Sequence, residues 1–143
     1  MNYTKKDLLY LPLGGSGEIG MNCNLYHFED RWIMVDLGVT FSDNDSNNYD
    51  LIMPNIDFIL ERVNKLSALI LTHAHEDHIG AVPYLIKRLK NVPIYATSFT
   101  ASLLKRKFLS AGLTDYKIKI MEYGKEILID DFILEIFCMT HSI

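Results

Sequence analysis

The chain has 143 residues, 49% of them hydrophobic, and a formal net charge of −4, which is enough for one buried core in a globular protein. The acidic balance gives no support for a phosphate-tracking surface, which is ordinarily basic. No apolar run approaches the ~20 residues of a membrane span, and the polar start Asn2-Tyr3-Thr4-Lys5-Lys6-Asp7 is no signal peptide. Cys23 and Cys138 lack ligand spacing, so both are expected as small buried thiols in a reducing, cytoplasmic setting.

No internal repeat or Pro/Gly/Ser-rich linker divides the chain, so residues 1–143 read as one continuous unit. Residues 8–13 read as a first strand leading into a turn with Gly14, Gly15, Gly17 and Gly20. Such a turn permits close backbone approach; it could also cradle a phosphate, but the spacing is not that of a P-loop and no lysine follows. Residues 22–28 and 32–37 read as two strands joined by the polar turn Glu29-Asp30-Arg31. His27 stands on this hairpin, far in sequence from the other histidines, and is expected to be satisfied or half-exposed. The polar excursion Ser42-Asp43-Asn44-Asp45-Ser46-Asn47-Asn48 lacks the glycine and terminal glutamate of an EF-hand, so no calcium site is expected there. Ile56, Ile59, Leu60 and Val63 recur at helical spacing over residues 55–65, and residues 68–71 are a short, wholly apolar strand.

That strand ends in Thr72-His73-Ala74-His75-Glu76-Asp77-His78. Imidazole and carboxylate are the usual ligands of zinc and similar divalent ions. In extended backbone, positions two apart point the same way, so His73 and His75 can approach one ion together. Asp77 and His78 follow where the chain turns into a helix and can face a second ion nearby. Solvated loop residues, with Asp77 as a helix cap, are the plainer account. Four first-rate ligands in six positions favour a metal site.

Residues 79–89 then read as a helix with Val82, Leu85, Ile86 and Leu89 on one side and Pro83 in its first turn. Residues 92–96 form a strand, and Ser98 is expected to cap a helix over 98–111 that stops at Gly112. Strands follow at 117–121, 126–129 and 132–139, the last two meeting at Asp130-Asp131. Lys87-Arg88 with Lys90, and Lys105-Arg106-Lys107, read as solvated helix faces. Strands with interspersed helices imply an α/β fold with a mixed sheet. His141 follows the last strand and, taken alone, is an ordinary strand-end histidine.

His73-Ala74-His75-Glu76-Asp77-His78 resembles the H-x-H-x-D-H signature of the metallo-beta-lactamase fold. Gly14-Gly15-Ser16-Gly17-Glu18-Ile19-Gly20-Met21-Asn22, together with Thr72-His73, Ile79-Gly80-Ala81-Val82-Pro83-Tyr84 and Thr140-His141-Ser142-Ile143, resembles the ribonuclease J family of the beta-CASP branch. The similarity runs along nearly the whole chain, but members of that family are several times longer. The resemblance implies that residues 1–143 are the N-terminal part of a metallo-beta-lactamase domain, with no complete second domain. They would form the first half of an αββα sandwich, truncated, with one sheet face uncovered.

The resemblance also implies a ligand set: His73, His75 and His141 for one zinc ion, and Asp77 with His78 for a second, manganese being tolerated by the same groups. Asp77 is then both ligand and the group that orients the attacking hydroxide. Asp36 matches a position that holds a ligating histidine by a hydrogen bond; a strand-end aspartate bonding to nearby amides is the alternative. A bridging aspartate and a further histidine of the family have no counterpart here. The implied function is metal-dependent hydrolysis of RNA phosphodiesters, internal or from the 5′ end, weak or absent in this chain alone. No residue is assigned to substrate contact. Two other readings compete: a non-catalytic metal-binding remnant or interaction module, whose uncovered sheet face would favour a homo-oligomer or other association, and a hydrolase of the same fold acting on small substrates.

Overall fold

A computed structural model describes residues 3–42 and 50–141. The excursion expected at residues 42–48 therefore lies, beyond Ser42, outside the described residues, as do Ser142 and Ile143. In chain order the elements are β1 (Leu9–Gly14), β2 (Cys23–Phe28), β3 (Arg31–Val35), β4 (Thr40–Phe41), β5 (Leu51–Ile52), α1 (Asp57–Leu60), β6 (Leu66–Leu71), α2 (Glu76–Ile79), α3 (Val82–Leu85), β7 (Ile94–Ala96), α4 (Ser98–Ser110), β8 (Ile118–Ile120), β9 (Glu126–Ile129) and β10 (Phe132–Glu135). Six strands form one mixed sheet in the order β1-β2-β3-β6-β7-β8. The first three are antiparallel neighbours, and β3, β6, β7 and β8 run parallel. The fold is the α/β mixed sheet expected.

Alternation along the strands, interrupted by a register shift near the start of β6, sorts side chains onto two faces. On one face Cys23, Leu25, Trp32, Met34, Leu69, Leu71, Ile94 and Ala96 pack against Ile59, Ile79, Val82, Ile86, Leu104 and Phe108 of the helical layer. Each fully buried aliphatic there contributes roughly 1.5–3 kcal/mol. On the other face lie Ile33, Ala68, Ile70, Tyr95 and Met121, and the β9–β10 hairpin lays Ile127, Ile129, Phe132 and Leu134 over them. Part of the face expected to be bare is therefore covered by the chain itself. Leu128 and Ile133, on the alternate positions of that hairpin, are exposed.

Several local expectations change for physical reasons. The β2–β3 turn has two residues, because Phe28 pairs with Arg31, and Glu29 and Asp30 both take positive φ (47° and 63°). That backbone twist matches the twist of the flanking strands. The helix expected over 79–89 is broken into α2, α3 and a 3-10 turn at Ile86–Leu89. Tertiary bonds cause the break: Leu37 N–H donates to the His78 carbonyl at 2.8 Å, and Ala81 N–H to the Leu37 carbonyl at 3.0 Å. The 55–65 helix likewise shortens to α1 plus a 3-10 turn at Val63–Lys65. Thr97, not Ser98, sits at the N-cap of α4. The final strand ends at Glu135 rather than 139.

His27 is fully buried rather than half-exposed. Its Nδ1 donates to the Asp7 carbonyl at 3.0 Å, its ring lies tilted against Trp32 with centroids 4.8 Å apart, and its Nε2 has no partner among the described residues. Cys23 is buried as expected, and burial followed by the Asp36 charge pushes its thiol up to about 12. Cys138 is exposed, because it follows β10 where no layer covers the chain.

Candidate metal centre

The centre forms where β6 ends at Leu71 and the chain turns through residues 72–75 into α2. His73 and His75 project to the same side, as their spacing requires, with ring centroids 4.5 Å apart. His141, from the far end of the described chain, brings its ring to 4.8 Å from each of them. One ligand atom from each of the three lies within 4.8 Å of the others. Two nitrogens on a tetrahedral zinc lie about 3.3 Å apart. Closing the difference would take rotation of exposed His141 and half-buried His75.

Asp36 organises the cluster from behind. It is buried, at the end of β3, with φ +63°. Its Oδ1 accepts from the Thr72 amide at 2.8 Å, and its carboxylate accepts from the Thr72 hydroxyl at 2.9–3.0 Å. A hydroxyl has one proton, so Thr72 Oγ1 must accept from His73 Nδ1, 3.0 Å away. His73 therefore carries its proton on Nδ1 and presents a bare Nε2. That nitrogen is buried without a hydrogen-bond partner among the described residues. Burial first, then the neighbouring imidazoles His78, His75 and His141, hold His73 below its ordinary pKa, against the pull of Asp36. A neutral ring with an unpaired buried lone pair suits a cation, since such a group otherwise bears an uncompensated desolvation cost.

Asp77 and His78 lie on the other side of His73, with the His73 and His78 rings 4.0 Å apart and Asp77 Oδ2 3.4 Å from His78 Nε2. His78 Nδ1 lies 2.7 Å from Asp36 Oδ2. Burial opposes charge on this ring, but the Asp36 hydrogen bond and charge, then Asp77, outweigh it and raise its pKa. Asp36 thus supports both parts: directly through His78, and through Thr72 for His73. It also accepts from the Thr72 amide, so it bonds a histidine ring and a nearby amide at once.

Three residues to which sequence reasoning assigned no role in the centre belong to its frame. Thr72 is the link just described. Asn22 places its side-chain amide nitrogen 3.1 Å from Asp77 Oδ2 and 3.2 Å from His78 Nε2. Gly38 runs so close beneath α2 that a Cβ on it would fall 1.6 Å from the Asp77 carbonyl oxygen. The signal for Gly38 was a glycine directly after the apolar strand; contacts across some forty positions are not visible in sequence. His27 lies apart from all of these.

A family model described as "Metallo-beta-lactamase superfamily" matches residues 17–136. The chain belongs to the metallo-beta-lactamase superfamily. Membership implies use of a divalent metal, and His73, His75 and His141 form a cluster that could hold one. The sequence is 43% identical to ribonuclease J of Sinorhizobium meliloti, over 96% of this chain and 25% of that protein. It is 38% identical to ribonuclease J of Thermus thermophilus, over 93% of this chain and 24% of that protein. The chain spans about a quarter of the length of the curated relatives it matches. The crystal structure of the short form of human tRNase Z superposes with a TM-score of 0.51 at 15% identity, covering 78% of this chain and 44% of that one, a likeness of fold. Among the described residues no helix is long and apolar enough to cross a membrane.

Proposed function

We propose that this chain is the N-terminal part of the metallo-beta-lactamase domain of a cytoplasmic, metal-dependent RNA phosphodiester hydrolase of the ribonuclease J type. The observation that carries the reading is the convergence of His73, His75 and His141, with the unpartnered Nε2 of His73 among them, beside the Asp77–His78 pair. His73, His75 and His141 would hold one divalent ion of the zinc or manganese class, and Asp77 and His78 would contribute to a second. Such ions, when bound, supply positive charge that makes a water nucleophilic near neutral pH and stabilises charge developing on a phosphoryl group.

The chain's own residues do the rest. Asp36 and Thr72 fix the His73 ring, and Asp36 fixes His78, so that lone pairs rather than N–H groups face the centre. The Asp77 carboxylate, beside the His78 ring, can accept a hydrogen bond from a water or hydroxyl and orient it. An RNA substrate is supported by the similarity to ribonuclease J. It is also supported by a cleft of about 800 Å³ beside Glu76, lined by Tyr84, Arg106 and Lys107. An aromatic face with nearby cations suits single-stranded nucleic acid. Lys107 is already paired with Glu76, which limits that grip.

With two ligands in its second part, the chain alone is expected to turn over RNA slowly, since misplacement of reacting groups costs about a hundredfold. The test is hydrolysis of a labelled single-stranded RNA by the metal-loaded protein, parent against His75→Ala. Turnover that depends on added metal and vanishes in the variant supports the reading. Metal-independent turnover, or equal turnover in both, overturns it.

A further inference from the structure

We propose that the cleft between α3 and α4 is a subsite for one nucleotide of a single-stranded RNA, with the base against Tyr84 and the apolar floor and the phosphate on Arg106. The inference rests on the reading of RNA as substrate and deepens it. It places one unit of the strand outside the metal centre and gives two adjacent cations, Arg106 and Lys107, different tasks.

Helical spacing builds the cleft. Leu103, Arg106, Lys107 and Ser110 stand at i, i+3, i+4 and i+7 of α4 and share one face, and they line the cleft with Pro83 and Tyr84 of α3. Lys105 lies outside that lining, so the basic run 105–107 is not one uniform solvated face. Ala74 lines the cleft as well, and it stands between His73 and His75. Alternate side chains of extended backbone point to opposite sides, so the loop that offers histidines to the metal centre offers Ala74 to the cleft. One loop is the common wall of the two.

Charge decides the occupant. The charged side chains of the lining are Glu76, Arg106 and Lys107. Glu76 and Lys107 pair with each other, and Gly80 makes room for the carboxylate, since a Cβ there would lie 2.9 Å from Glu76 Oε2. Arg106 is exposed and makes no ion pair among the described residues. The cleft therefore keeps one positive charge in a chain of net charge −4, which matches a single phosphate linkage. A guanidinium binds phosphate through two parallel N–H bonds. Tyr84 is 62% exposed, and an aromatic ring stacks on any base. An inorganic anion would leave the floor of Val39, Pro83 and Leu103 bare, and an uncharged ring would leave Arg106 idle; a nucleotide uses both. None of the buried polar side chains lines the cleft to read a base edge, so recognition is independent of sequence.

The experiment is an NMR titration of the metal-free protein with adenosine 5′-monophosphate, set against adenosine, inorganic phosphate and tetraglutamate. The nucleotide is expected to shift Ala74, Tyr84 and Leu103 together and saturably, and to bind about tenfold more tightly than adenosine or phosphate. Arg106→Gln should lower nucleotide affinity by about tenfold and leave adenosine unchanged. Tyr84→Leu should weaken nucleotide and adenosine alike, by about tenfold. Glu76→Gln combined with Lys107→Gln removes the internal pair at constant net charge, and nucleotide affinity should stay within about threefold of the parent. The proposal is overturned if the nucleotide leaves the cleft signals unmoved, if Arg106→Gln binds it as the parent does, or if the double variant loses as much as Arg106→Gln. Tetraglutamate binding as tightly as the nucleotide would assign the cleft to a polypeptide and also overturn it. The titration uses neither metal nor turnover, so the two claims separate. Nucleotide binding in the cleft without metal-dependent RNA hydrolysis upholds the subsite and sinks the hydrolase reading; hydrolysis without such binding does the reverse.

Discussion

The three-histidine cluster and the Asp77–His78 pair grow from the same short stretch, yet they are prepared in opposite ways. In the cluster, burial and neighbouring imidazoles keep His73 neutral, and its Nε2 has no partner among the described residues. In the pair, both His78 ring nitrogens and Asp77 Oδ2 have polar neighbours: His78 lies between Asp36 and Asn22, and Asp77 Oδ2 beside Asn22. An unsatisfied lone pair gains most from a cation, whereas a satisfied one must first surrender hydrogen bonds. The difference teaches that the cluster should bind first and more tightly, with Asp36 as the element the two share.

The largest effect expected is on the cluster itself. His75→Ala removes one of three nitrogens and should weaken the first divalent ion by at least the ~100-fold that outer hydrogen-bonding changes can reach, measured by competition with a chromophoric chelator. Asp77→Asn should leave that first affinity within a few-fold of the parent; an equal loss in both variants would break the distinction between the two parts. Next comes the shared support. Asp36→Asn can satisfy Thr72 or His78 but not both, so first-ion affinity should fall by about 10–100-fold, and the metal-free protein should lose about 1–3 kcal/mol in a denaturant titration. Gly38→Ala is expected to act through the pair: its Cβ meets the Asp77 carbonyl, costing about 1–3 kcal/mol while the His73, His75 and His141 signals shift little.

The smallest effect is in pH, and its sign differs between the two parts. Unfolded, each histidine titrates near ~6.5. Folded His73 resists protonation, so as pH falls through ~6.5 the unfolded chain takes a proton that the folded chain refuses, and stability declines. Folded His78 has a raised pKa, so its contribution is full below ~6.5 and is lost as pH rises through the folded value. On acidifying the metal-free protein, His78 should therefore protonate before His73 in an NMR titration; the reverse order would contradict the contrast.

Much of this was legible locally. The apolar runs of β3 and β6 and the polar turn between β2 and β3 need no distant partner to be recognised, and His73, His75, Asp77 and His78 declare themselves by residue type and spacing. His141 and Asp36 were reachable only through family resemblance, because a strand-end histidine or aspartate has no local mark. What stayed hidden was tertiary. The helix over 79–89 has good periodicity, yet hydrogen bonds from Leu37 and to Leu37 interrupt it. Cys138 looked like a core thiol because composition says nothing about which layer covers a strand end. Asn22 lies 55 positions from Asp77, and an asparagine after glycines carries no sign of where its amide will point.

The most direct test is a zinc titration of the metal-free protein followed by histidine side-chain NMR. The account predicts that the first equivalent shifts His73, His75 and His141 together, with one common saturation, while buried His27 stays unchanged. If the three signals fail to move, or if His27 moves as much as they do, the metal centre described here is wrong.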